Sequence, residues 1–218
     1  MTPRLSVAMI VRDEAEMAPG FLGSVHGLWD ELVVVDTGSA DDTPAIFQAA
    51  GARVITSAWH DDFSVARNES LEAATGDWVL ILDADERASP RFIEQLLRAI
   101  EEPGLGALTI RMSNALPYGH RRESQLLRAW RNDPAVRFRF PIHEDASASV
   151  AQLLVRTGTT LGRVEAPVDH LGYVRSRAAA KDKKRRDLTL LQRCIEEEPF
   201  DFYSRLKILE QARYWHDG

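Results

Sequence analysis

The stretch Trp78-Val79-Leu80-Ile81-Leu82-Asp83-Ala84-Asp85-Glu86 constrains this chain more than any other. Its five consecutive apolar residues have the length and composition of a strand buried on both faces, the kind found inside parallel sheets. The run stops abruptly at acids. Asp83, Asp85 and Glu86 therefore fall at the C-terminal edge of that strand, where open α/β sheets keep their ligands. If the backbone stays extended, the side chains of Asp83 and Asp85 leave from one face. Two hard oxygen donors on one face suit Mg²⁺ or Mn²⁺, with a phosphate supplying further ligands. The competing reading is that these acids begin a turn and cap the helix that starts at Pro90.

Around this stretch the pattern alternates. Leu5–Val11 reads as a first strand and residues 15–29 as a helix, with Met17, Phe21, Val25 and Leu28 at spacings of three and four. Residues 32–35 give a second buried strand, ending in Asp36 and a loop of small polar residues. Thr43-Pro44 then starts a helix that Gly51 stops. Arg53–Thr56 is a third strand, residues 64–74 a helix, and Pro90–Ile100 another. Strands alternating with helices at this spacing specify βαβ units and a mostly parallel sheet. Beyond a strand at residues 106–112 the regularity fades. Residues 126–130 and 136–140 read as short strands paired across Asn132-Asp133-Pro134, and His143-Glu144-Asp145 opens a helical stretch to about Val155. Residues 176–198 form a long charged helix, and residues 202–215 one more. The chain ends on that helix without a cap or tail, which reads as a fragment of something longer.

With 218 residues the chain can bury one substantial α/β core. No apolar run approaches the roughly 18 residues of a membrane span, and Arg12, Asp13 and Glu14 interrupt the N-terminal run too early for a signal peptide. The single cysteine, Cys194, rules out an internal disulfide framework and fits a cytoplasmic protein. A net charge of −6 argues against a nucleic-acid partner. The run Lys181-Asp182-Lys183-Lys184-Arg185-Arg186 reads first as a solvated helix face. Its second reading is a patch that draws a phosphorylated or lipid-linked acceptor, or the inner face of an anionic membrane as a peripheral contact.

Three acid-bearing loops follow successive strands: Arg12 to Glu14, Asp36, and Asp83 to Glu86. In a parallel sheet they converge on one edge. An acid such as Asp36 just past a strand suits a ribose hydroxyl or a base edge. Neither a Gly-X-Gly-X-X-Gly fingerprint nor a Walker loop is present, so acids and a metal would hold any nucleotide. Arg67 either contacts a diphosphate, pairs with one of the acids, or is a surface cation on an amphipathic helix.

Together, Asp13-Glu14, Asp30 to Ser39 with Asp41-Asp42-Thr43, Asp62-Phe63-Ser64 with Ala66-Arg67-Asn68, and Gly76 through Glu86 resemble the family 2 glycosyltransferases of the GT-A fold. The likeness resumes at Arg128-Ala129-Trp130-Arg131-Asn132, Ile142-His143-Glu144 and His170-Leu171-Gly172-Tyr173. It is similar to a bacterial branch in which the GT-A domain precedes TPR-like helices. By this resemblance, residues 1–175 are the GT-A domain, with a nucleotide-sugar half to about 100 and an acceptor half beyond it. Residues 176–218 are then a helical C-terminal segment, the start of a TPR-like region.

The resemblance implies an inverting enzyme that moves a sugar from a nucleoside diphosphate sugar, UDP-sugars first among them, to an acceptor hydroxyl on a glycan, lipid-linked carrier or peptide. It places Asp13, Asp36, Asp62, Arg67 and Asp83 on the nucleotide sugar, and Asp83, Asp85 and His170 on Mn²⁺ or Mg²⁺. A single displacement needs a base to take the acceptor proton. The candidates are Glu144 and Asp145, with Glu144 slightly ahead; both could instead stabilise the start of the following helix. Two rivals stand beside this reading. A sugar nucleotidyltransferase needs a glycine-rich basic loop where Val11-Arg12-Asp13-Glu14 stands. A non-catalytic nucleotide-sugar-binding module would have lost turnover.

Overall fold

Trp78–Ile81 (β4) lies in the middle of one sheet, as the inner strand of a parallel half that it forms with Leu5–Val11 (β1), Glu31–Asp36 (β2) and Arg53–Thr56 (β3), in the order β3-β2-β1-β4. The continuous apolar run is explained by where its side chains go. Trp78, Leu80 and Leu82 enter one core cluster with Leu5, Met9, Phe21 and Phe92, while Val79 and Ile81 enter another with Trp130, Val150 and Leu153. With both faces covered, the alternation of a half-exposed strand has no place here.

The structure is a computed structural model that describes residues 2–115, 120–171, 177–198 and 201–216, with side chains outside 177–184 and 211–216. Gly172, Tyr173, Pro199 and the side chains of Lys181, Lys183 and Lys184 lie outside the described residues. Four further strands complete the sheet: Glu86–Ala88 (β5), Leu105–Ala115 (β6), Arg121–Arg131 (β7) and Thr160–His170 (β8). The order is β3-β2-β1-β4-β7-β6-β8-β5. The first four strands are parallel, β7 is antiparallel to both β4 and β6, β6 and β8 are parallel, and β5 is antiparallel to β8. Helices Ala18–Ser24 (α1), Thr43–Ala49 (α2), Phe63–Ala73 (α3), Pro90–Ile100 (α4) and Ser147–Thr157 (α5) flank it, and Arg177–Glu197 (α6) packs on Phe202–His216 (α7). Among the described residues, no helix is long and apolar enough to cross a membrane.

Several local expectations change. The acids after β4 do not cap α4. Ser89 does, accepting the Phe92 amide at 3.1 Å, with Pro90 in the first turn. The first helix is shorter than residues 15–29, because the Met17 and Ala18 amides both return to the Glu14 carbonyl in a turn and Gly27 takes φ +75°. Residues 136–140 are not a strand. The Asn68 side chain takes both the amide and the carbonyl of Phe138, the places a neighbouring strand would fill. The helix expected from His143 begins only at Ser147. β8 was not expected at all: Pro167 argues against a strand, but it falls where the β6–β8 register shifts, and a bulge tolerates it.

Gly76 sits where the loop into β4 crosses β1. A Cβ there would lie 2.8 Å from the Ser6 amide nitrogen and 2.9 Å from the Arg4 carbonyl oxygen, both backbone atoms. Gly76→Ala should therefore destabilise the fold by about 2 kcal/mol, the scale of a forced backbone shift. It would be read as a lower urea midpoint at unchanged m-value.

Candidate active site at the C-terminal edge of the sheet

The parallel register of β1, β2 and β4 brings the loops after Val11, Asp36 and Ile81 to one edge, as the alternation predicts. The first two loops are tied together. Asp36 is buried at the end of β2 and accepts the Ser39 hydroxyl at 2.5 Å, while the same hydroxyl accepts the Asp13 amide at 2.9 Å. Asp13 Oδ1 in turn accepts the Ala40 amide at 2.7 Å. Asp62 caps α3, taking the Ser64 amide and hydroxyl at 2.8 and 2.7 Å. That cap aims the first turns of α3 at the same edge, and one turn further on the helix carries Arg67.

Arg67 is the centre of the site. Its side chain is only 6% exposed, and it donates from Nη2 to Asp83 Oδ1 at 2.6 Å and from Nε to Glu144 Oε1 at 3.1 Å. Its Nη1 is buried without an acceptor among the described residues. Arg128, on β7, completes the cluster: Nη2 donates to Glu86 Oε1 at 3.0 Å and Nη1 lies 3.6 Å from Asp83 Oδ2. Glu86 Oε2 also accepts the Asp83 amide at 2.9 Å. Burial works against the ionised Asp83, but Arg67 and Arg128 outweigh it and hold the carboxyl at about 2. Burial has the upper hand at Glu86, where one arginine is opposed by Asp83 and Asp85, and the carboxyl is pushed up to about 7. Burial also opposes charge on Arg67, yet its two carboxylates raise its pKa further.

Asp83 and Asp85 do not share a strand face. β4 ends at Ile81, and the Glu86 amide returns to the Asp83 carbonyl at 3.0 Å, so the backbone turns between the two acids. Asp83 goes to the arginines; Asp85 goes to His170, whose Nε2 is 3.4 Å from Asp85 Oδ2. The tautomer follows from the neighbours. Asn114 gives its amide hydrogens to the Arg122 carbonyl and the Ser124 hydroxyl, so its Oδ1, 2.8 Å from His170 Nδ1, accepts a proton from that nitrogen. Nε2 then meets Asp85 either with a second proton or with a lone pair. Burial disfavours the imidazolium, but Asp85, Glu86 and Asp83 raise the His170 pKa nonetheless. A carboxylate beside a histidine nitrogen, oriented through its other ring nitrogen and set in negative surroundings, is a donor set that fits a divalent cation. Among the described residues, no group of three or more His, Cys, Asp or Glu is arranged to hold a metal by itself. Asp85 and His170 are the side chains of this edge that could serve as ligands to such a cation.

The structure thus brings together Arg67, Asp83 and Glu144, and separately Asp85 and His170. Asp145 is not in the cluster: its Oδ1 accepts the Ser147 amide and hydroxyl at 3.2 and 2.6 Å, at the start of α5. Sequence reasoning placed Glu86 among the acids of this edge and Arg128 within the resemblance without giving either a role of its own, and it did not single out Asn114. The signal for Arg128 is visible afterwards as a charge inside the otherwise apolar Leu126–Leu127 and Ala129–Trp130 run. Among the described residues, the non-glycine residues at positive φ are Asp13 (54°), Asp61 (55°), Phe140 (74°) and His143 (54°), all in loops of this edge. Each left-handed residue costs about 1 kcal/mol or more, so strain is concentrated in the loops around Arg67 and Glu144 and beside Asp36.

A family model described as Glycosyl transferase family 2 matches residues 6–152. A TPR repeat-containing protein of Synechococcus elongatus is 38% identical over 208 residues, 92% of this chain and 50% of that protein. The SPbeta prophage-derived glycosyltransferase SunS of Bacillus subtilis is 28% identical over 208 residues, 91% of this chain and 46% of that protein. The chain spans about half the length of these curated relatives. Among solved structures, the mannosyltransferase PcManGT from Pyrobaculum calidifontis, in complex with GDP-Man and Mn²⁺, matches with a TM-score of 0.62 at 20% identity, covering 88% of this chain and 63% of that one. That likeness is one of fold, and it agrees with a GT-A, Rossmann-like α/β architecture.

Replacing Arg67 by Met leaves Asp83 and Glu144 without their shared counter-ion, and should cost about 3 kcal/mol of stability at neutral pH. Asp83 has its folded pKa depressed from 3.8 to about 2, so the stability it draws from arginine is present above 3.8 and is lost as pH falls through about 2. The gap between wild type and Arg67→Met in urea unfolding should narrow over that same interval.

Proposed function

The chain belongs to glycosyl transferase family 2, and on that premise we propose that it moves a sugar from a nucleoside diphosphate sugar to an acceptor hydroxyl, with inversion. The observation that carries the reading is the Arg67 cluster, which joins an acid after the central strand to an acid of the distant loop before α5. Asp13, Asp36 and Asp62, on loops of one edge, are assigned to the nucleoside side. Asp83, locked by two arginines, is assigned to the ribose. The orphaned Nη1 of Arg67 is a donor that a diphosphate oxygen would satisfy.

Glu144 is the proposed base. Its carboxylate is oriented by Arg67, whereas Asp145 is engaged with Ser147. Glu144 takes the acceptor hydroxyl proton as the oxygen attacks the anomeric carbon, and the bond to the diphosphate breaks on the opposite side. Asp85 and His170 would hold the divalent cation, Mn²⁺ or Mg²⁺. When bound, that cation supplies charge neutralisation on the leaving diphosphate. PcManGT was solved with GDP-Man and Mn²⁺, which supports a nucleotide sugar and a divalent cation as the pair to test. We read α6 and α7 as the first helices of a TPR-like extension behind a transfer domain of residues 1–175, a reading supported by the name of the Synechococcus relative.

Calorimetric titration of UDP, GDP and dTDP with Mn²⁺, with Mg²⁺ and with EDTA tests the proposal. One nucleotide should bind tightly only with metal, and Asp85→Ala should abolish the metal-dependent part. Glu144→Gln should keep nucleotide affinity while lowering turnover by about a hundredfold or more. Absence of nucleotide binding under every condition would contradict the donor assignment. Metal-dependent binding with no turnover from any donor would favour the non-catalytic module.

A further inference from the structure

The helices α6 and α7 close on the two loops that deliver Arg67 and Glu144, and they do so where the backbone is left-handed. Asp61 (φ +55°) stands just ahead of α3; Phe140 (+74°) and His143 (+54°) flank the turn that leads to Glu144. Among the ties of this turn are a bridge between Arg139 and Asp145 and the Phe63 amide, which donates to the Pro141 carbonyl at 2.8 Å.

The C-terminal helices touch each of the three left-handed residues. Tyr203 on α7 donates its hydroxyl to the His143 carbonyl at 2.7 Å, and its ring stacks on Phe140 with centroids 4.3 Å apart and planes 19° from parallel. Arg193 on α6 donates from Nη2 to the Asp61 carbonyl at 2.7 Å. Between these points Ile142 is buried against Leu190 and Leu191, with Trp59, Phe63 and Ile208 packed around them. Burial and the carboxylates of Asp145 and Glu144 push the Tyr203 hydroxyl up to about 12, so it remains a donor through the neutral range.

We infer that Tyr203 is a positioning residue for Glu144: it clamps both left-handed residues of the preceding turn, one by its ring and one by its hydroxyl, and so fixes where the Glu144 carboxylate meets Arg67. The role given to Glu144 rests on the transferase reading; the clamp rests on the contacts alone. The geometry also makes the helical segment a functional part of the site, because the turn it holds is the one that carries the proposed base.

Tyr203→Phe keeps the ring and removes the hydroxyl, Tyr203→Ala removes both, and Phe202→Ala, at a side chain 75% exposed on the same helix, is the control. Two readouts apply to each. One is backbone hydrogen exchange, followed at the Asp145 amide that bonds the Arg139 carbonyl, with β1 and β4 amides reporting global folding. The other is hydrolysis of the sugar donor of whichever nucleoside diphosphate binds, split into kcat and KM. Tyr203→Phe should speed loop exchange about tenfold, the scale of one lost hydrogen bond. It should lower kcat about tenfold while donor KM stays unchanged, because misplacing a reacting group acts on the chemical step. Tyr203→Ala should do more of both and Phe202→Ala neither. Unchanged loop exchange in Tyr203→Phe and Tyr203→Ala would overturn the clamp. Faster exchange at undiminished kcat would overturn the positioning role. A wild-type chain that binds no nucleotide and hydrolyses no donor would sink the transferase reading instead, and the exchange data would still decide whether Tyr203 holds the turn.

Discussion

A guanidinium taken out of water must be met by carboxylates, and the burial of Arg67 is the condition around which this site is built. Its partners come from far apart in the chain, Asp83 from the end of the central strand and Glu144 from the loop before α5. The pairings therefore fix the parallel half of the sheet against the mixed half at the edge where the loops converge. Arg128 repeats the arrangement from β7, so that two arginines face Asp83, Glu86 and Glu144. Two cations against three carboxylates leave an excess of negative charge, and burial, with Asp83 and Asp85 adding to it, lets Glu86 hold its proton up to about 7. Asp85 adds to that excess on the side where His170 stands, and a divalent cation there would offset it. In the proposed transfer, a cation at that place would also offset the charge on a leaving diphosphate.

Strain follows the same geography. β4 and its neighbours are apolar, regular and buried, whereas the left-handed non-glycine residues gather in the loops at the sheet's edge. A rigid sheet can support loops of this kind because its own pairing does not depend on them. The turn before Glu144 is braced by α6 and α7, through Ile142, Phe140 and His143.

Much of this was legible in the chain. The run from Trp78 to Leu82 has the length and composition of a strand covered on both faces, found at Trp78–Ile81, and Thr43-Pro44 and Pro90 marked helix starts found at Thr43–Ala49 and Pro90–Ile100. Those signals are local, and local chemistry reads well from sequence. The failures are tertiary. Residues 136–140 have the composition of a strand, but Asn68, remote in sequence, occupies the hydrogen-bonding groups of Phe138. Asp83-Ala84-Asp85 has the spacing of two ligands on one face, but a turn sends Asp83 to arginine and Asp85 to histidine. Arg67 was open between a phosphate contact, an acid partner and a surface cation, and the fold makes it the buried partner of two acids. Arg128 and Tyr203 could not be assigned from spacing, since each acts on residues to which only the folded chain brings it.

The most direct test is to locate the cation. Crystals of the chain grown with a nucleoside diphosphate and Mn²⁺ would show the metal by its anomalous scattering. The account predicts one strong peak bonded to the Asp85 carboxylate and His170 Nε2 and shared with diphosphate oxygens, with Asp83 still held by Arg67 and Arg128. A peak on Asp83 with the guanidiniums displaced, or nucleotide bound at this edge with no metal, would contradict it.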